Sequence, residues 1–290
     1  MNKTYNDPMI RNQVYELLDT AWPTLSDRIR IASAAGAHWH EVSTPFVKFD
    51  GPRPIAHAGV VEIPMVIDGR TAVIAGIHAV CTHPDYRRRG HSREVMEAAL
   101  AHCDAWFETV VLTTDNPDLY LRYGLRVARE HRFEVEAPRP PRRTPGFRNL
   151  SNGSPTDLAL LHRLLRERTP ASDVLGVLEP GEVFITNEIL GKGRFERIHY
   201  AEDLDLIAAY EVRDRTLRLY DLVARDIPPL EAVVARVGED VDRVEIHLTP
   251  DRLRAGDTLP IPKPPGDYLM VRGPFAVEDR LFILPPLARC

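Results

Sequence analysis

The sequence predicts an α+β protein in which helices flank a mixed, largely antiparallel sheet, repeated in two tandem domains. Three observations carry this prediction. The chain has 290 residues, which suits two domains of ordinary size better than one packed core. Helical and strand-like patterns are mixed in both halves. The stretch 137–150 contains four prolines within nine residues. Prolines hold the chain extended and have no backbone N–H group to donate to a neighbouring strand. We therefore predict domains at 1–136 and 151–290 with a linker at 137–150.

The first domain is expected to open with two helices and a hairpin. Asp7 followed by Pro8 is typical of an N-cap and a first helical position. Asp68-Gly69 tolerates the positive φ values of a two-residue hairpin turn. Gly124 is a typical helix stop. In chain order, we predict helices from 7 and over 26–36, strands 55–67 and 71–82, a helix from 92, a strand 109–114, a short helix 117–123 and a strand 126–136.

The second domain is predicted to follow a similar order. Ser154-Pro155 is another helix start, and Asp226 with Pro228 introduces a later helix through Val237. The strand-like runs are 183–189, 204–212, 217–224, 241–249 and 268–272. Both halves therefore combine helices with a sheet.

Composition excludes several classes of protein. The net charge of −5 argues against general nucleic-acid binding, which needs a basic surface. The N-terminus lacks an apolar signal region and no stretch is long enough to span a membrane, so we expect a cytoplasmic protein with no membrane partner. The three cysteines have neither metal-site nor disulfide-framework spacing, and no metal is expected. A homo-oligomer is compatible with the sequence.

The most informative segment is the predicted strand-to-helix turn from Arg87 to Ser92. The first N–H groups of a helix have no internal partners, and the helix dipole favours an anion there. Gly90 would let the backbone approach a ligand closely, and the arginines add positive charge. The alternative is an ordinary solvated turn. The segment predicts a phosphate site.

The spacing Arg87-x-x-Gly90-x-Ser92 resembles the R/Q-x-x-G-x-G/A signature of the GNAT superfamily of N-acetyltransferases. It departs from the signature only at the last position, where Ser92 replaces the usual glycine or alanine. The order of predicted elements in residues 1–136 is similar as well. The resemblance implies a GNAT-like fold and acetyl-CoA as cosubstrate, with its pyrophosphate in this loop and its pantetheine arm along the preceding strand. The implied cofactor-binding residues are Val80, Cys81, Thr82, Arg87, Arg88, Arg89, Gly90, His91, Ser92, Arg93, Asp115 and Asn116.

A second segment, 113–125, resembles the family's short helix that carries a tyrosine. The resemblance places Tyr120 at the position of the general acid, while Tyr123 would serve packing. Acetyl transfer from the thioester expels a thiolate. A positioned proton donor would assist this step, because a bare thiolate is costly in a dry site. The alternative for Tyr120 is a core residue with its hydroxyl at the surface.

The acceptor amine has to arrive neutral, which a base or a desolvated pocket must promote. Glu62, His78 and Glu41 are candidates for the base, and none has decisive spacing. His38 and His40 have no third ligand for a metal and fit a structural or substrate-lining role better. The base is left unassigned.

Within the superfamily, the chain looks most like the branch of the enhanced-intracellular-survival aminoglycoside acetyltransferases, which carry a second, degenerate acetyltransferase-like domain. The turn 224–230 in the second half has no glycine and a single arginine, so that half is expected to bind no CoA. Against this branch, the sequence is about one domain short, so we expect it to depart from the branch by lacking the third domain. In that branch the terminal carboxylate serves beside the tyrosine; whether Cys290 reaches Tyr120 is open.

The leading functional hypothesis is an N-acetyltransferase that transfers an acetyl group to a small-molecule or protein amine by direct attack. One alternative is a non-catalytic acyl-CoA sensor or scaffold with the same fold. Another is a different phosphate-binding module, which the absence of nucleotide-binding glycine motifs disfavours. The acceptor and the length of the acyl group remain open.

Overall fold

The computed structural model describes residues 5–139, 144, 146–178 and 181–290. Its helices are α1 Pro8–Asp19, α2 Leu25–Ala34, α3 Trp39–Val42, α4 His91–Trp106, α5 Asp118–Leu121, α6 Pro155–Glu167, α7 Gly181–Lys192 and α8 Leu230–Val234. Its strands are β1 Ser43–Asp50, β2 Arg53–Ile67, β3 Arg70–Thr82, β4 Val110–Thr114, β5 Arg126–Val127, β6 His131–Glu136, β7 Phe147–Asn149, β8 Leu175–Val177, β9 Ile198–Ala201, β10 Leu206–Arg213, β11 Thr216–Val223, β12 Arg243–Ile246, β13 Leu259–Pro262 and β14 Tyr268–Arg272.

The first sheet has the order β1-β2-β3-β4-β14-β5, and β8 pairs with the far end of β2. Its pairs are antiparallel except β3 with β4, which are parallel. The β2–β3 hairpin turns at Asp68 and Gly69, whose φ values are 49° and 74°, as the dipeptide predicts. Helix α4 supplies the crossover between the parallel strands.

Helices cover both faces of this sheet. The inner face of α4 is apolar at helical spacing, and its Val95, Met96 and Leu100 pack with buried residues of β2, β3 and β4. On the opposite face, α1 contributes Val14 and Leu18 to a second buried cluster. The sheet is therefore held between two apolar layers, which fixes the strand ends where the candidate site lies.

The second sheet has the order β13-β6-β12-β11-β10-β9-β7. Here β10 and β11 form a hairpin, and β12 lies parallel to β11 after α8. This repeats the arrangement of β2, β3, α4 and β4. The predicted α+β class with largely antiparallel sheets is confirmed.

Sheet membership crosses the predicted domain boundary in both directions. Strand β6, expected to close the first domain, pairs with β12 and β13 of the second sheet. Strand β14 from the second half lies between β4 and β5 of the first sheet. Each half therefore lends the other a strand. The domain limits 1–136 and 151–290 stay a prediction, and most of the proline-rich segment 140–145 lies outside the described residues.

The prediction of a strand at 183–189 is wrong. These residues belong to α7, in which six of the twelve residues are buried and lie around most of its circumference. A helix that is apolar on all sides shows no 3.6-residue period, and a short apolar run then looks the same as a buried strand. The predicted strand 126–136 is likewise broken in two, and the helix expected through Val237 ends at Val234.

No helix among the described residues is long and apolar enough to cross a membrane.

Candidate active site

The site begins where β3 and β4 separate. Their parallel pairing is limited to Ala75 with Val110 and Gly76 with Val111. Beyond these pairs the strands diverge, and residues 77–82 of β3 do not pair with β4. The wedge between the two strands leaves backbone N–H and C=O groups of β3 available to an extended ligand.

A bulge shapes β3 at this point. The register with β2 shifts between His57 and Gly59, and Ala79 takes the left-handed conformation, with φ 50°. The Nδ1–H of His57 donates to the Ala79 carbonyl oxygen at 2.8 Å, and Tyr5 Oη donates to His57 Nε2 at 2.9 Å. Burial lowers the pKa of His57 to about 4, so its ring is neutral near pH 7. A fixed neutral imidazole thus holds the bulge.

A cavity of about 440 Å³ fills the wedge. Val80 of β3, Asp115 and Asn116 after β4, and Tyr120 of α5 line it. Four of the residues predicted to act at the site therefore surround one space. Tyr120 also packs with Tyr123 against the apolar cluster under α4.

The surroundings of Tyr120 suit a proton donor. Burial, with a smaller contribution from Tyr123, raises the pKa of the Tyr120 phenol above its ordinary value. Within the described parts of the chain, no group accepts a hydrogen bond from its hydroxyl. The hydroxyl is therefore protonated at neutral pH and uncommitted to another partner.

The predicted phosphate loop leads directly from the end of β3 into α4. Arg88 and Gly90 both have positive φ, 63° and 88°, and Gly90 is the N-cap. Within the described residues, no side chain caps this helix, and a Cβ at position 90 would meet nothing within 4 Å. The first N–H groups of α4 therefore have no side-chain partner and there is open space beside Gly90, an arrangement that suits an anion.

The arginines of the loop have different surroundings. The Nε–H of Arg87 donates to the Thr82 carbonyl oxygen at 3.2 Å. The Arg89 guanidinium lies over the Tyr86 ring, 5.4 Å from its centroid. Arg93 pairs with Glu97 at 2.6 Å. All of the loop arginines are exposed, as is Ser92, while His91 is half-buried.

Two residues predicted for cofactor binding, Cys81 and Thr82, do not line the cavity in the wedge. Cys81 is buried in the cluster with α1 on the other face of the sheet, and burial raises its pKa to about 12. Thr82 is half-buried and, like Cys81, does not line the cavity in the wedge. Any contact from these two positions to a ligand in the wedge would involve the backbone.

Trp22 and Asp267, which no sequence pattern predicts for the site, also line the cavity, as does Cys290, whose reach to Tyr120 was left open. The Cys290 carbonyl oxygen accepts from the Thr113 N–H at 2.8 Å and from Thr113 Oγ1 at 2.5 Å. Burial raises the pKa of the Cys290 thiol to about 12. These residues come from distant parts of the chain, and no local pattern marks them.

A buried ion pair holds the segment that ends at Cys290. Arg289 donates to Glu130 Oε1 at 2.6 Å, and both side chains are nearly fully buried. The Asn187 side chain of α7 donates to the Arg289 carbonyl oxygen at 2.8 Å. The second half of the chain therefore contributes directly to the wall of the cavity.

Among the candidate bases, only His78 lines the cavity, whereas Glu62 and Glu41 are exposed. His78 is hydrogen-bonded through Nε2 to Ser43 Oγ at 2.8 Å and meets the Trp39 ring edge-on at 4.6 Å. Burial, reinforced by His57, lowers the pKa of His78 well below its usual value. The described residues contain no group of three or more His, Cys, Asp or Glu side chains that could hold a metal ion.

Comparison with known proteins identifies a domain in the first half of the chain. Residues 11–128 match the family model described as an acetyltransferase (GNAT) domain. No curated protein matches the chain in sequence.

Solved structures share the fold along most of the chain. A conserved protein of unknown function from Enterococcus faecalis V583 aligns with a TM-score of 0.56 at 13% identity, over 90% of this chain and 69% of that one. A GCN5-related N-acetyltransferase from Anabaena variabilis gives 0.54 at 14% identity, over 92% and 71%. One from Kribbella flavida gives 0.50 at 20%, over 88% and 70%. The chain therefore has a GNAT-like α+β fold, and its residues 11–128 are those that match a GNAT acetyltransferase domain.

Proposed function

We propose that the protein is an N-acetyltransferase that uses acetyl-CoA as cosubstrate and transfers the acetyl group directly to an amine. The observation that carries the proposal is the wedge between β3 and β4. It has unpaired strand backbone and a protonated tyrosine on its wall, and β3 continues along the chain to the uncapped start of α4. Each feature matches one part of an acyl-CoA thioester.

The binding roles follow from these features. The N–H groups from Arg88 to Ser92 would donate to the pyrophosphate oxygens, and the exposed arginines would balance the charge. The backbone of β3 around Val80 would pair with the amides of the pantetheine arm. Asp115 and Asn116 border the same space from the β4 side. This arrangement would direct the thioester towards Tyr120.

In the proposed reaction, the lone pair of the amine nitrogen forms a bond to the acetyl carbon, and the carbon–sulfur bond breaks. Tyr120 donates its hydroxyl proton to the departing sulfur. The nitrogen releases its surplus proton to water in the cavity, and the Tyr120 phenolate regains a proton from solvent. The products are the N-acetylated amine and CoA thiol.

The energies make a positioned donor useful. A phenol has a pKa of about 10 and a thiol about 8.5, so the transfer costs roughly 2 kcal/mol in water. A bare thiolate in a dry cavity costs more, so a donor positioned at the sulfur assists its departure. Cys290, with its pKa raised to about 12, is a poor nucleophile at neutral pH. Direct attack by the amine is therefore favoured over an acyl-enzyme on this cysteine.

Two measurements test the proposal. Isothermal titration with acetyl-CoA should give saturable binding of about one molecule per chain, and thiol release should require an added amine. If millimolar acetyl-CoA produces no heat of binding and no thermal shift, the proposal is contradicted. Binding without turnover across a broad panel of amines would favour the acyl-CoA sensor instead.

A further inference from the structure

A second cavity adjoins the one that contains Tyr120. Its volume is about 570 Å³, within the range of small-molecule sites. The two cavities share Trp22, His78, Ala79, Thr113, Asp267 and Cys290 as lining residues. Because these residues border both spaces, a molecule in the second cavity would meet a thioester in the first. We call the second space the acceptor cavity.

The walls of the acceptor cavity are largely apolar. Leu18 and Ile29 are almost fully buried, and Trp39 is 9% exposed. Trp22 and Leu190, at 42% and 36%, are accessible apolar residues of the wall. Two tryptophans and several branched side chains therefore offer a surface for an aromatic or branched apolar group.

The charges around the acceptor cavity do not favour a polycation. Asp267 is the only side-chain carboxylate among the described residues that line it. Its Oδ2 lies 3.3 Å from Arg289 Nε and 3.4 Å from Lys263 Nζ, so its charge is already balanced. Arg28 adds a further positive charge to the wall.

The remaining titratable side chains of the wall do not supply a negative charge. His78 is neutral near pH 7 because burial lowers its pKa, and the Cys290 thiol is protonated. Each extra ammonium group of an acceptor would lose hydration without gaining a counter-charge. For a single amine, the same surroundings favour the neutral form that attacks.

We infer that the acceptor is a primary amine with one basic nitrogen and an aromatic or branched apolar body, and not a polyamine or an aminoglycoside. This inference rests on the proposed function, since it assigns the acceptor of that same site. The amine nitrogen lies at the junction between the two cavities, and the apolar body lies against Trp22, Trp39 and Leu18.

The test is equilibrium binding, which does not depend on turnover. Phenethylamine and tryptamine are titrated against spermine and kanamycin, with the protein alone and saturated with CoA. We expect the affinity for the aromatic amines to be higher than for either polycation by about tenfold or more. Equal or tighter binding of spermine or kanamycin would overturn the inference. Thiol release with acetyl-CoA, measured in parallel, tests the proposed function separately.

Two pairs of variants locate the binding. Trp22→Ala should weaken tryptamine binding by about tenfold, whereas Trp106→Ala should not, because Trp106 is 75% exposed and lines neither cavity. Leu190→Glu should strengthen spermine binding relative to Leu190→Gln, which has the same shape without the charge. If Trp22→Ala leaves binding unchanged, or the two Leu190 variants bind spermine alike, the assignment of this cavity is wrong.

Discussion

Tyr120 lines the wedge, whereas Tyr123, three residues later, packs under α4 without lining it. We expect Tyr120→Phe to lower kcat by about 10²–10⁴ while acetyl-CoA affinity stays nearly constant, because only the donated proton is lost. Tyr123→Phe is the matched control and should retain most activity. Steady-state kinetics and acetyl-CoA titration of both variants test this. An unchanged rate in Tyr120→Phe would remove Tyr120 from the mechanism.

The pH dependence of the reaction should reflect the environment of Tyr120. A general acid must be protonated, so its contribution is lost as pH rises through its pKa. Burial raises the pKa of Tyr120 above the ordinary phenol value of about 10. We therefore expect no fall in kcat/KM between about pH 8 and pH 10. A descending limb in this range that is absent from Tyr120→Phe would contradict the assignment.

The sequence predicts some residues of the site and not others for a physical reason. Tyr120, Asp115 and Asn116 lie in one short segment with a local pattern. Cys290 meets Thr113 across 177 positions of sequence, and this contact depends on the packing of the whole second half. A local sequence pattern predicts the structure of its own segment, whereas a contact between distant residues exists only in the folded molecule.

At the scale of elements, the loop before α4 offers a test of phosphate binding. Gly90 has φ 88°, so Gly90→Ala should cost about 1 kcal/mol of stability and turn the nearby N–H groups away from a common centre. We expect acetyl-CoA affinity to fall by about tenfold or more. Titration calorimetry and urea unfolding measure the two effects.

Gly256→Ala is the control for this variant. Gly256 has φ 73°, with open space around it, and lies between β12 and β13 of the second sheet. It should show a similar loss of stability with unchanged acetyl-CoA affinity. If both variants bind acetyl-CoA like the parent protein, the loop does not hold the phosphates as proposed.

The sequence predicts helices and strands well where one face of the element is apolar and the other is polar. Helices α1, α4 and α6 have a cap signal or an apolar stripe, and the structure confirms them. Helix α7 is buried on most sides, so its pattern carries no helical period. Strand β14 was correctly predicted as a strand, but an extended apolar run does not specify which sheet it joins.

At the scale of the whole molecule, the exchange of strands makes the two sheets interdependent. Strand β14 pairs with β4 along all five of its residues, from Tyr268 with Thr114 to Arg272 with Val110. Without β14, both β4 and β5 would expose unpaired edges. A fragment of residues 1–136 would also carry β6 without its partners β12 and β13.

We therefore expect the fragment 1–136 to be unfolded or aggregated, although it contains the predicted acetyl-CoA loop and Tyr120. The full chain should unfold in one transition, because neither sheet is complete alone. Its three tryptophans, Trp22, Trp39 and Trp106, all lie in the first half, so their fluorescence reports on that half while far-ultraviolet circular dichroism reports on the whole chain. The two signals should coincide in urea. A fragment that melts cooperatively and binds acetyl-CoA, or two separated transitions in the full chain, would show that the halves fold independently despite the exchanged strands.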